Sequence, residues 1–247
     1  MHLREPKSRL VFPLDVPEKN TALELAHTLR DEVGLFKVGL ELYLAAGLEF
    51  LQILANKAGL ERIFLDLKLY DIPSTVIGAA HTLLPGLALI TVPSDLGPTG
   101  LKRIVAGTAH RVLAVTVLTS TKAGDLEALG YKPKYAENLT KLVVERAKMA
   151  QVAGCRGVVC SGQEAAAVRK ACGPDFMVVC PGIRLEGAPV SGDDQSRTVT
   201  PYEAMLNGAD FIVVGRPIRQ AGNAAQQVAA ARRVVEEIEQ GLQDRGR

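Results

Sequence analysis

The chain has 247 residues, 47% of them hydrophobic, which is material for one large domain or two small ones with a sizeable buried core. Lys plus Arg (29) nearly balance Asp plus Glu (27), and a net charge of +2 leaves no electrostatic footprint for nucleic acid or an anionic membrane. An anionic ligand would therefore have to be held by a local site. The four cysteines, Cys155, Cys160, Cys172 and Cys180, have no C-x-x-C or Cys/His spacing and sit in or beside apolar segments. That pattern argues against a zinc site and a disulfide framework, and for buried free thiols. The opening "MHLREPKSRL" holds no signal-peptide core, and no apolar stretch approaches the roughly 18 residues of a membrane helix, so a soluble cytoplasmic protein is expected.

Short apolar runs alternate with longer amphipathic ones along the whole chain. "RLVFPLDV" (9–16) reads as the first strand, although Pro13 removes a ladder donor. A helix follows over Thr21–Arg30, with Asn20 before it and Gly34 after it as end signals. "GLFKVGL" (34–40) is the second strand, and Leu42–Ala58 the next helix. Further strands are expected at "RIFLDLKL" (62–69), "LALITVP" (87–93) and "RVLAVTVL" (111–118). A helical pattern over Tyr135–Ala153 leads to "GVVC" (157–160), "FMVVCPGI" (176–183) and "FIVVGRPI" (211–218). The last helix covers Ala224–Gln240, and the tail "QDRGR" is expected to fray. Strands separated by helices pair in parallel, because parallel pairing needs a crossover connection. Eight such units with no linker predict an α/β protein, a (β/α)8 TIM barrel forming one domain over residues 1–247. An open doubly wound sheet is the alternative, weakened by the lack of G-x-G-x-x-G at the first strand–helix turn.

The stretch "IFLDLKLYDIPST" (63–75) places charges in an apolar strand. Side chains alternate faces, so Phe64, Asp66, Lys68 and Tyr70 share one face and Ile63, Leu65, Leu67 and Leu69 the other. In a barrel the apolar set faces the helices and the charged set points inward, near the carboxyl ends where barrel active sites are built. The same alternation turns Lys37 and Asp15 inward, and Asp71 falls in the loop just beyond. Asp15, Lys37, Asp66, Lys68 and Asp71 thus form an alternating array in which each group favours its neighbours' charged state. A structural ion cluster at the barrel mouth is a competing explanation, though buried pairs are poor stabilisers. Asp66 and Asp71 as Mg²⁺ ligands are another. After the seventh strand comes "PGIRLEG" with Gly182 and Arg184, and after the eighth "VGRPI" with Gly215 and Arg216. Barrels often bind phosphate with these two loops, through backbone N–H groups and bidentate arginine; exposed arginines at strand ends are the plainer alternative. The intervening "EGAPVSGDDQSRTVTP" has the composition of a lid.

"FLDLKLYDIPST" resembles the D-x-K-x-x-D-I-P-x-T signature of bacterial-type orotidine 5'-phosphate decarboxylases. Further pieces match that family in order: "LDVP", "FKVGLEL", "VTVLTS", "PGIR", "GDDQSR" and "VGRPI", over about residues 9 to 240. The D-x-K-x-x-D core is shared with Mg²⁺-dependent sugar-phosphate decarboxylases and aldolases; the longer signature points to the orotidine branch. The resemblance implies decarboxylation of orotidine 5'-phosphate to UMP, the last step of de novo pyrimidine synthesis, with no metal and no organic cofactor. It implies Lys68 as the acid, with Asp66, Asp71 and Lys37 as the other catalytic residues. For substrate binding it implies Asp15 and Lys37 at the ribose, Thr119 at the pyrimidine edge, Gln195 between base and phosphate, and Arg184, Gly215 and Arg216 toward the phosphate. It also implies a homodimer in which Asp71 and Thr75 reach the neighbouring subunit's site. The segment "TVPSDLGPTG" departs from the family's N-V-H-A-S-G-G, with Pro93 where the histidine stands.

Overall fold

The computed structural model describes residues 5–185 and 197–246. Its strands are β1 (Leu10–Pro13), β2 (Leu35–Gly39), β3 (Ile63–Asp66), β4 (Leu89–Pro93), β5 (Val112–Val115), β6 (Gly157–Val159), β7 (Met177–Cys180) and β8 (Phe211–Val213). They close a barrel in the order β1-β2-β3-β4-β5-β6-β7-β8, each pair parallel, with β8 returning to β1. The helices are α1 (Lys19–Leu29), α2 (Leu40–Ala58), α3 (Pro73–His81), α4 (Gly97–Gly107), α5 (Ala123–Ala128), α6 (Pro133–Glu137), α7 (Leu139–Val152), α8 (Ala165–Cys172), α9 (Pro201–Leu206), α10 (Arg216–Arg219) and α11 (Ala224–Arg245). This is the single-domain TIM barrel, not the open sheet.

The alternation read from the strands divides the core in two. Val11, Leu35, Phe64, Leu89, Leu113, Val179 and Phe211 form one buried cluster, the barrel interior. Phe12, Phe36, Val38, Ile63, Leu65 and Ile90 belong to a larger cluster against the helices. Pro13 is tolerated because it ends β1; pairing passes to Leu14, whose N–H donates to the Lys37 carbonyl at 2.9 Å. The four cysteines are free and buried, and burial pushes the Cys155 thiol up to about 12. Among the described residues no helix is long and apolar enough to cross a membrane.

Several boundaries differ from the expected ones. The first helix starts at Lys19 with Glu18 at its N-cap, so Asn20 lies inside the helix rather than before it. The helix expected at Leu42 begins at Leu40 and breaks direction at Gly47, where φ is +68°. The span 135–153 is two helices, because Asn138 leaves the helical region and caps α7 by accepting from the Lys141 N–H. The last helix, expected to end at Gln240, runs to Arg245 and takes in most of the tail expected to fray, held where Tyr202 donates to Asp244 (3.2 Å) and Arg245 donates to the Ala209 carbonyl (3.2 Å).

Candidate active site

A chain of alternating charges lines the carboxyl-terminal mouth between β1 and β3. Lys37 Nζ lies 3.0 Å from Asp15 Oδ1 and 3.7 Å from Asp66 Oδ2, and Lys68 Nζ lies 2.9 Å from Asp66 Oδ1. Asp66 is the pivot, with its side chain 14% exposed. Burial alone pushes its carboxyl up, but Lys37 and Lys68, with hydrogen bonds from Lys68 and Thr91, outweigh burial and hold it below the ordinary carboxylate range. The site therefore holds the Asp66 carboxylate between two lysines, with Asp66 and Lys37 sheltered and Lys68 34% exposed toward the mouth.

Lys68 reaches this position differently from the strand reading. β3 ends at Asp66, so simple alternation does not carry Lys68 inward. Instead Lys68 takes φ +50°, the one positive φ among the described non-glycine residues. A left-handed lysine costs about 1–2 kcal/mol and persists only where its surroundings over-determine it. Here the surroundings are β4: the Lys68 N–H donates to Thr91 Oγ1 (2.9 Å) and the Leu69 N–H to the Thr91 carbonyl (3.0 Å). Thr91 is fully buried, and its hydroxyl donates onward to Asp66 Oδ1 at 2.9 Å. The sequence reading missed Thr91. Its signal was a lone polar residue on the inward face of "LALITVP".

Asp15, Lys37, Asp66 and Lys68 open into a cavity of about 410 Å³, which suits a small ligand. Thr119, Arg184, Gly215 and Arg216 line it as well, so eight of the eleven sequence-derived site residues share one cavity. Phe64, Val159 and Val213 give it an apolar floor. Gly215 precedes α10 and passes so close to β1 that a Cβ there would lie 2.7 Å from Pro13 Cγ, which is why this loop needs glycine. Arg184 Nη1 donates to the Ile183 carbonyl at 2.6 Å. Arg219, a further cavity residue that the sequence reading did not select, donates to the Asp15 carbonyl and ties α10 to the β1 end.

Asp71 and Thr75 do not line this cavity. Both are exposed; the Asp71 carboxylate accepts from the Ile72 N–H at 2.6 Å and stands outside the charge chain. Gln195 and most of the segment read as a lid lie outside the described residues. No group of three or more His, Cys, Asp or Glu side chains among the described residues is arranged to hold a metal ion. Both oxygens of Asp66 are already engaged by ammonium groups and a hydroxyl, which leaves little donor capacity for Mg²⁺.

Comparison with known proteins gives the family. Residues 8–231 match the family described as orotidine 5'-phosphate decarboxylase / HUMPS. The chain is 44% identical to orotidine 5'-phosphate decarboxylase of Desulfosudis oleivorans, covering 97% of this chain and 96% of that one. It is 46% identical to the enzyme of the same name from Xanthomonas euvesicatoria, covering 96% and 95%. Among solved structures, that of orotidine 5'-phosphate decarboxylase from Lactobacillus acidophilus superposes with a TM-score of 0.72 at 32% identity, over 93% of this chain and 98% of that chain. With its catalytic-end lysines and aspartates in one charged row and its relatives alike over nearly their whole length, the chain belongs to the orotidine 5'-phosphate decarboxylase family.

Proposed function

We propose that the cavity binds orotidine 5'-phosphate with its phosphate toward Arg216 and the Gly215 amide, and its C6 carboxylate over Asp66 and Lys68. The family's reaction converts this nucleotide to UMP and CO₂ and completes de novo pyrimidine synthesis. The observation that carries the assignment is the Asp15–Lys37–Asp66–Lys68 row opening into the same cavity as Arg216. In the proposed step the C6–carboxylate bond breaks, its electron pair stays on C6 and CO₂ leaves. Lys68 stabilises the developing negative charge and then delivers a proton from Nζ to C6. Lys37 and Asp15 take the ribose hydroxyls, Thr119 the pyrimidine edge, and Arg184 and Gln195 the side toward the phosphate. Asp66 faces the leaving carboxylate, but preorganised charge carries more of the argument than ground-state repulsion. Binding energy from the phosphate, remote from C6, is available to organise the reacting centre.

The working unit in this reading is a homodimer, with Asp71 and Thr75 entering the neighbouring subunit's site. Support comes from their exposure next to Tyr70 and Ile72, which are 66% and 64% exposed. Two exposed large side chains flanking Asp71, itself displaced from the cavity, suit a second copy of the chain. Free, buried thiols suit a reducing, cytoplasmic compartment.

The test is the ultraviolet absorbance change of purified protein with orotidine 5'-phosphate, with and without EDTA. Rapid, EDTA-insensitive loss of the substrate band is expected, and Lys68→Ala protein of unchanged circular dichroism should show none. No turnover of orotidine 5'-phosphate by folded protein would move it to the Mg²⁺-dependent sugar-phosphate branch, and near-normal turnover by Lys68→Ala would remove Lys68 as the acid.

A further inference from the structure

Beyond Val115 the chain leaves β5 and runs along the cavity wall to Thr119 and Ser120. Its strand pairing ends with the Thr116 N–H, which donates to the Val159 carbonyl of β6 at 3.1 Å, so its carbonyls need other partners. Two of its carbonyls find arginines arriving from opposite sides. The Thr116 carbonyl accepts from Arg146 of α7 and from Ser94 Oγ at 3.1 Å. Arg146 is itself paired with Asp95, which also accepts from Tyr131 OH at 3.0 Å. The Leu118 carbonyl accepts from Arg197 Nη2 at 2.8 Å and from the Thr121 N–H at 3.0 Å. Arg197 pairs with Glu164, whose side chain is only 3% exposed and whose second oxygen accepts from the Ser161 N–H at 2.9 Å.

Neither pair is a strong stabiliser: desolvation offsets much of the attraction in the sheltered Arg197–Glu164 pair, and solvent screens the other at Asp95, whose side chain is 38% exposed. What they do well is fix direction: a guanidinium held by a carboxylate presents its remaining N–H groups along set lines. We propose that the Arg146–Asp95 and Arg197–Glu164 pairs are positioning elements that clamp the 116–118 backbone from both sides and so aim Thr119 at the bound pyrimidine. None of the four residues lines the cavity. The inference rests on the reading of Thr119 as the pyrimidine contact, and its reach is the base-recognition part of the site alone; the phosphate end and the lysine row are held by other elements.

The experiment uses full-length protein carrying Arg197→Met, Arg146→Met or Glu164→Gln, each alone and combined with Thr119→Val. Affinity is measured for UMP and for ribose 5-phosphate, which lacks the base. Each clamp variant should weaken UMP about three- to ten-fold, the range of one hydrogen bond, with ribose 5-phosphate unchanged. Added to Thr119→Val, the same substitutions should cost nothing further, because both act through one contact. Equal weakening of both ligands, additive losses, or unchanged UMP affinity in the clamp variants would overturn the proposal. If Thr119→Val itself leaves UMP binding intact, the pyrimidine assignment of Thr119 fails and the clamp's role with it. If Thr119→Val is costly and the clamp variants are neutral, the clamp alone fails. Should Arg197→Met not fold, Glu164→Gln keeps the shape of the side chain and carries the same prediction.

Discussion

Replacing Thr91 by valine removes one hydroxyl and little volume from a fully buried position on β4. That hydroxyl makes two bonds at 2.9 Å, donating to Asp66 Oδ1 and accepting from the Lys68 N–H. A hydrogen bond to a charged group contributes about 1.5–3 kcal/mol, and leaving a sheltered amide without a partner costs about 1–3 kcal/mol. The two losses share one group and overlap, so Thr91→Val should destabilise the fold by about 2–4 kcal/mol. Lys68 loses one support for its left-handed backbone, and Nζ then samples positions away from Asp66. Misplacement on the ångström scale can cost about a hundred-fold in rate, so kcat should fall about ten- to hundred-fold with a smaller change in KM. Urea unfolding at fixed protein concentration measures the first effect, and steady-state decarboxylation the second. Thr91→Ser keeps the hydroxyl and should recover most of both. Stability and kcat unchanged in Thr91→Val would refute the view that β4 holds the lysine in place. Recovery absent in Thr91→Ser would show that packing, not the hydroxyl, matters there.

Asp66 gives a pH prediction. Its folded value lies below the ordinary 3.8, so its contribution to stability is present above that value and is lost as pH falls through the folded one. Wild-type protein should therefore lose stability more steeply than Asp66→Asn on acidification below about pH 4, followed by urea unfolding; parallel profiles would contradict the charge pivot. Arg216→Ala should raise KM for orotidine 5'-phosphate about ten-fold or more, the scale of a lost charge-assisted contact, and Arg219→Ala less, because Arg219 spends part of its guanidinium on the Asp15 carbonyl; equal KM values in wild type and Arg216→Ala would remove it from the phosphate clamp. Mixing Lys68→Ala with Asp71→Ala protein should restore part of the activity through hybrid dimers carrying one intact site. No recovery after confirmed subunit exchange would count against a shared site.

The pattern of the chain carried the architecture because its cause is local. Eight apolar runs separated by amphipathic ones can bury their faces only as parallel strands wrapped by helices, and the period of two told which strand residues look inward. Lys37 and Asp66, which lie within β2 and β3, were legible as inward charges for that reason alone, and Asp15 follows two residues past the end of β1. Gly215 and Arg216 were legible because barrel phosphate loops follow the last strands. Lys68 was placed on the right side for an incomplete reason: the strand stops two residues earlier, and a strained backbone held by β4 does what alternation was expected to do. Helix ends slipped, at Glu18 with no side-chain cap to mark the start and at Asn138 where a cap divides the span, because propensity fixes a helix's existence better than its limits. What only the tertiary structure decided is which distant groups meet at one carboxylate or one carbonyl. Thr91 lies 25 residues from Asp66, and Arg197 lies 79 residues from Leu118. No local pattern encodes such pairs; they exist because barrel closure brings the carboxyl ends of all eight strands to one rim, where a buried polar atom must find a partner wherever the chain supplies one.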